Sequence, residues 1–178
     1  MMKAPYNAMD VANYIVTKAI ERDQPVTHLK LQKLLYYVVA KYLKDTGRYL
    51  IVEPIYKWQF GPVVKEVYHA FKTYGSEAIR SPYAYLKDSS VFMPDENGKF
   101  PEFKLDFADP DAINQELDAE EVFKKTVNEV MNQLLSKDPF ELVERTHQEE
   151  AWLSNKSAIF ARETELKYSQ TELRCADI

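Results

Sequence analysis

The chain has 178 residues, 46% of them apolar and 29% charged, which is long enough to bury one core and too balanced in composition for a disordered chain. Glycine is scarce at four residues, which argues against a turn-rich all-β fold and against Gly-rich phosphate loops. The net charge of −5 is unevenly spread: residues 1–90 carry 13 Lys/Arg and 8 Asp/Glu, whereas residues 91–178 carry 10 and 20, a separation that can steer a charged partner.

A single cysteine, Cys175, cannot form an internal disulfide, which fits a reducing compartment. No apolar run approaches the roughly 18 residues of a membrane span, and no apolar leader follows Met1. The expected location is the cytoplasm, without a membrane partner.

Asn7 followed by Asp10 marks a helix start, and Val11, Ala12, Ile15 and Ala19 give it one apolar stripe as far as about Arg22. Thr27 caps a second helix that stops at Gly47. Leu31, Leu34, Leu35, Val38 and Tyr42, widened by Tyr36, Val39 and Leu43, make this helix apolar over much of its circumference, so it is expected at the centre of the fold. Its remaining face reads Lys30, Lys33, Tyr37, Lys41 and Lys44, a solvated lysine stripe on this reading. Short extended pieces are expected at 49–52 and 55–58. Gly61-Pro62 is expected to open a third helix, with Pro62 at its first position and Gly75 as its stop.

Asn97-Gly98 between alternating runs predicts a β-hairpin near 91–107. Residues 95–121 hold ten acidic and two basic side chains, a candidate steering surface. Asp118 is expected to cap a long helix carrying Phe123, Val127, Val130, Met131 and Leu134, and a short helix follows from Pro139. The last residues are read as polar and partly helical, fraying toward Ile178. The fold class is α-dominated (α+β): a compact helical domain with a small β-hairpin.

No phosphate loop and no nucleophile elbow is present, so no catalytic residue and no cofactor is assigned. Two Glu-x-x-His pairs, Glu66/His69 and Glu144/His147, match half of a di-iron pattern, but His69 shares a polar face with Lys65 and Lys72, and no metal site is assigned. The lysine face admits a nucleic-acid regulator as an alternative, against which the overall acidity argues.

Three further blocks stand out along the chain. The first is Asp10-Val11-Ala12-Asn13-Tyr14-Ile15 with Leu29-Lys30-Leu31-Gln32-Lys33-Leu34-Leu35-Tyr36-Tyr37; the second is Trp58-Gln59-Phe60-Gly61-Pro62-Val63-Val64, with Val67-Tyr68 after it. The third is Thr146-His147-Gln148-Glu149-Glu150-Ala151-Trp152. In order and spacing, over about residues 6–155, the three together resemble the phage-associated Panacea antitoxin domain family, in which proline often stands at the position of Ala151. The expected organisation is a domain over 1–155 and a tail over 156–178. The resemblance implies a mainly helical, non-enzymatic antitoxin of a bacterium or phage. It would neutralise a toxin encoded nearby by direct protein–protein binding, whether by masking the toxin or by delivering it to a protease. Tyr36, Trp58, Gly61, Pro62 and His147 are family-motif residues without an assigned role. Lys30, Lys33, Tyr37, Lys41 and Trp152 are the candidates for toxin contact, and a homo-oligomer is compatible with the sequence.

Overall fold

The computed structural model describes residues 3–86 and 107–178, and the hairpin expected over 91–107 falls almost wholly outside them. The element order is α1 (Ala8–Glu21), α2 (His28–Thr46), β1 (Tyr56–Trp58), β2 (Gly61–Val63), α3 (Lys65–Phe71, continued by a 3-10 turn to Tyr74), α4 (Pro110–Asp118), α5 (Glu121–Leu134), α6 (Pro139–His147), α7 (Glu150–Leu153), α8 (Lys156–Phe160) and α9 (Gln170–Arg174). Among the described residues the architecture is α-dominated with a small antiparallel hairpin, β1–β2, which lies away from the place where the sequence predicts one. No helix among the described residues is long and apolar enough to cross a membrane.

The two N-terminal helices form where their caps specify. Asn7 Oδ1 accepts from Met9 N at 2.7 Å, Thr27 Oγ1 accepts from Lys30 N at 3.2 Å, and Gly47 ends α2 in the left-handed region at φ 72°. α2 is the axis of the molecule. Every residue from Leu31 to Ala40 is buried, because α1, α5, α6, α9 and β2 pack around it. The expected solvated lysine stripe is therefore corrected: Lys33 and Tyr37 lie inside the protein. The other lysines dock on neighbouring elements, Lys30 Nζ on the Leu135 carbonyl at the end of α5, Lys41 on Glu129 of α5 as well as on Asp45 of α2 itself, and Lys44 on the carbonyls of Ala176 and Ile178.

Gly61-Pro62 does not open a helix. These residues form β2, paired antiparallel with β1 in the register Tyr56–Val63, Lys57–Pro62 and Trp58–Gly61, and α3 begins only at Lys65. A two-residue turn, Gln59-Phe60, joins the strands, and Gly61 at φ 89° supplies the left-handed conformation that follows it. Asp118 likewise is not the cap of the long helix. It ends α4, an unanticipated helix capped by Asp109, and its carboxylate accepts from Tyr14 Oη at 2.8 Å and pairs with Lys18 and Lys124. α5 starts after Glu120 without a side-chain cap.

The C-terminal segment does not fray. Lys57 N donates to the Leu166 carbonyl at 2.7 Å and Tyr168 N to the Ile55 carbonyl at 2.8 Å, so residues 166–168 run alongside β1. A full capping box between Ser169 and Glu172 then starts α9, which packs Leu173 against α2, and Ala176 is buried just beyond its end. Leu173→Ala should therefore lower global stability by about 2–4 kcal/mol within a single cooperative transition, measured by urea unfolding. A loss below about 0.5 kcal/mol, the usual range for a surface change, would show that α9 is an appendage rather than part of the core.

Candidate functional site

The three sequence blocks are distant along the chain, and the fold brings them to one junction. α2 contributes Gln32, Lys33, Tyr36 and Tyr37; the hairpin contributes Trp58, Gly61 and Pro62; the α6–α7 corner contributes Thr146, His147, Glu149 and Trp152.

The hairpin is held by its backbone. Gln32 pairs with it as a neighbouring strand would, its amide oxygen accepting from Val64 N at 2.8 Å and its amide nitrogen donating to the Val64 carbonyl at 3.2 Å. Lys33 Nζ donates to the Pro62 carbonyl at 3.1 Å. Trp152 Nε1 donates to the Trp58 carbonyl at 3.0 Å. His147 stacks on the Trp152 ring at 3.7 Å with the backbone of Gln59 beside it. Gly61 fits because it has no side chain: a Cβ there would lie 2.6 Å from Thr146 Oγ1 and 3.1 Å from Lys33 Nζ.

Behind the hairpin, Tyr36 Oη donates to Glu149 Oε2 at 2.5 Å, and Glu149 Oε1 accepts from Asp177 N at 3.1 Å. Burial pushes the Glu149 carboxyl above its usual range against these two hydrogen bonds, and burial also pushes the Tyr36 hydroxyl upward. Tyr36 packs between Tyr37 and Tyr168, and Arg145 lies over the Tyr37 ring. Lys33 is 0% exposed, and desolvation holds its amine down at about 7. Burial also lowers His147.

Of the residues singled out for toxin contact, Lys33, Tyr37 and Trp152 are thus buried in this junction, while Lys30 and Lys41 are half-buried along the seam between α2 and α5. All five family-motif residues, Tyr36, Trp58, Gly61, Pro62 and His147, meet here. Sequence reading passed over Gln32, Thr146 and Glu149, although each lies within a quoted block beside a chosen residue. Glu66 and His69 sit on α3, His69 exposed beside Lys72, and His147 faces Trp152 instead. Among the described residues no three His, Cys, Asp or Glu side chains gather as metal ligands. The junction's polar groups largely point at backbone, an arrangement that fixes a shape. Outside it, beside the hairpin, an apolar groove of about 330 Å³ opens between His28, Trp58, Phe60, Tyr68, Ile159 and Arg162.

Two outcomes test this packing. Gly61→Ala places a methyl group against Thr146 at a positive φ, so it should cost about 2 kcal/mol or more, read from chemical denaturation. Lys33 binds a proton in the unfolded chain up to 10.5 but in the folded chain only below about 7, so the unfolded state holds more protons in between. Stability should therefore rise with pH across that window, by at most about 1.4 kcal/mol per pH unit from this group. Near pH 10 the trend reverses, since Tyr14, Tyr36 and Tyr37 are raised by burial and keep their protons only when folded. Lys33→Met should flatten the rise between about pH 7.5 and 9.5, and an unchanged slope in the variant would show that another group carries it.

A profile of the family described as "Antitoxin SocA-like, Panacea domain" matches residues 31–153, which include all but the N-terminal part of the first block. The chain is also similar to the protein named "Antitoxin SocA" of Caulobacter vibrioides (strain NA1000 / CB15N), with 41% identity over 73 residues. That stretch spans 41% of this chain and 39% of the relative, well under two thirds of its length. No solved structure matches the chain. By the extent of the profile match, the chain belongs to the antitoxin SocA-like, Panacea domain family.

Proposed function

We propose that this protein is a non-enzymatic antitoxin that neutralises a toxin encoded beside its own gene by direct, stoichiometric binding. The observation that carries the reading is the family match over residues 31–153, the stretch that builds the junction. A side-chain set that grips a hairpin by its backbone makes a stiff scaffold, and stiffness lowers the entropic cost of presenting a binding surface.

The surface best suited to meet a toxin is the outer side of α4 and α5. Between Asp109 and Glu121 the chain carries six acidic residues and no basic one. Asp111, Glu116 and Glu121 are exposed, next to a 52% exposed Val122. Such a face attracts a basic partner over distance and offers an apolar contact on arrival. Lys30 and Lys41 lie farther along the α2–α5 seam, on the Leu135 carbonyl and on Glu129, and are proposed as separate contacts. Lys33, Tyr37 and Trp152 support binding from beneath, by holding the fold.

The test is co-expression with the toxic gene product of the neighbouring reading frame. This chain should rescue growth and should retain the toxin on a tag at near-equal amounts. Glu116→Lys with Glu121→Lys should slow association by about tenfold at low salt and much less at high salt, because the steering charge is screened. Rescue by trace amounts of the protein, or rescue without a complex when proteolysis is blocked, would overturn the reading.

A further inference from the structure

The groove beside the hairpin has features that the antitoxin reading does not use. Phe60 stands at the hairpin tip, 54% exposed, at the mouth of the groove it helps to line. Phe160, also 54% exposed, lies at the end of α8 against the edge of Trp152. The hairpin beneath Phe60 is fixed by Lys33, Gln32 and Trp152, so the tip is a preformed apolar knob.

The rim carries a second signal. Past α8 the chain turns with Arg162 N bonded to the Ile159 carbonyl at 3.0 Å and Glu163 N to the Ala158 carbonyl at 3.1 Å. Arg162 takes φ 66° there, in a helix ending where glycine is the ordinary residue. A long charged side chain is thus kept at a backbone position that disfavours it, and that side chain lines the groove together with Glu163. Among the described residues neither Arg162 nor Glu163 forms an ion pair.

We propose that this groove is a self-association surface, occupied by a second copy of the chain across a two-fold axis. Phe60 of each copy enters the groove of the other, and Arg162 of one copy pairs with Glu163 of the other. A two-fold interface requires knob and hole on the same patch, and this patch holds both. It also requires charge that complements itself. Arg162 and Glu163 are adjacent on the groove rim, so a two-fold axis offers each the opposite charge of the other copy, whereas Glu165 is already held by Lys65 at 2.5 Å. Two such chains repel through their acidic halves and meet without that penalty here. A strongly basic toxin is drawn instead to the α4–α5 face, so the two surfaces stay separate, and the inference stands whether or not the antitoxin reading holds.

The experiment is sedimentation equilibrium on the full chain alone, over a range of concentrations. The expected result is a monomer–dimer equilibrium. Phe60→Ser should weaken it by about tenfold or more, as loss of an interface anchor does. R162E and E163R should each weaken it by about tenfold, whereas the double exchange R162E/E163R should return it to within about threefold of the starting value, since the pair is then restored with its signs reversed. Arg162→Gly should weaken the dimer by no more than R162E does, since it removes a charge without reversing it, while raising the Tm of the monomer, because glycine relieves the positive φ. All these side chains are exposed, and far-UV circular dichroism with Tm checks that each variant is folded. A chain that stays monomeric at every concentration would overturn the proposal. So would a dimer indifferent to all these changes, or a groove protected from hydrogen exchange only when toxin is added, which would make the toxin its occupant.

Discussion

A lysine amine sealed from water must find its hydrogen bonds inside the protein, and Lys33 gives one of them to the carbonyl of Pro62. Much of the molecule's arrangement is tied to this contact. The amine reaches the carbonyl only if the Gly61-Pro62 strand lies directly against α2, and the strand comes that close only because Gly61 has no Cβ to strike Thr146 and Lys33 itself. Desolvation favours the uncharged amine at this depth. A neutral amine can be satisfied by a carbonyl where an ammonium would need a carboxylate. The same approach sets Trp58 within reach of Trp152, and Trp152 then carries His147 on its other side.

This constraint explains why three separate blocks belong together. Each supplies polar atoms that are useless alone. Gln32 needs the backbone of Val64, Lys33 needs that of Pro62, Trp152 needs that of Trp58, and Tyr36 needs Glu149. A buried polar group without its partner costs more than the bond itself contributes, so such groups stand or fall as a set. The outer surface is under no such restriction. Its charge is divided between an acidic α4–α5 side and a more balanced region near α8.

The C-terminal segment extends the same logic beyond the region matched by the family. It adds backbone pairs to β1 through Leu166 and Tyr168, places Tyr168 against Tyr36, and closes with α9, whose Glu172 pairs with the buried Lys57 at 2.6 Å. Lys44 and Arg145, on α2 and α6, hold the carbonyls of Ala176, Asp177 and Ile178 at the end of the chain. The lysine-rich side of α2 is thereby turned into a set of attachment points for neighbouring elements.

The sequence by itself determined the elements whose signals are local. Asn7 and Thr27 start α1 and α2, Gly47 ends α2, and the apolar breadth of α2 marks it as central, because caps and periodicity act within a few residues. The motif blocks were legible as a set, and with them the family. Tertiary structure decided the rest, where the determining partner lies far along the chain. Gly61-Pro62 has the local look of a helix start, and pairing with β1 together with the grip of Lys33 makes it a strand instead. Lys33 has the spacing of a surface charge, and the packing of α6 and the hairpin over it makes it core. The polar tail looks free by composition, and the carbonyl and carboxylate partners waiting on α2, α6 and β1 order it. A side chain's type and spacing set which bonds it can make, and only the assembled fold sets whether water or protein provides them.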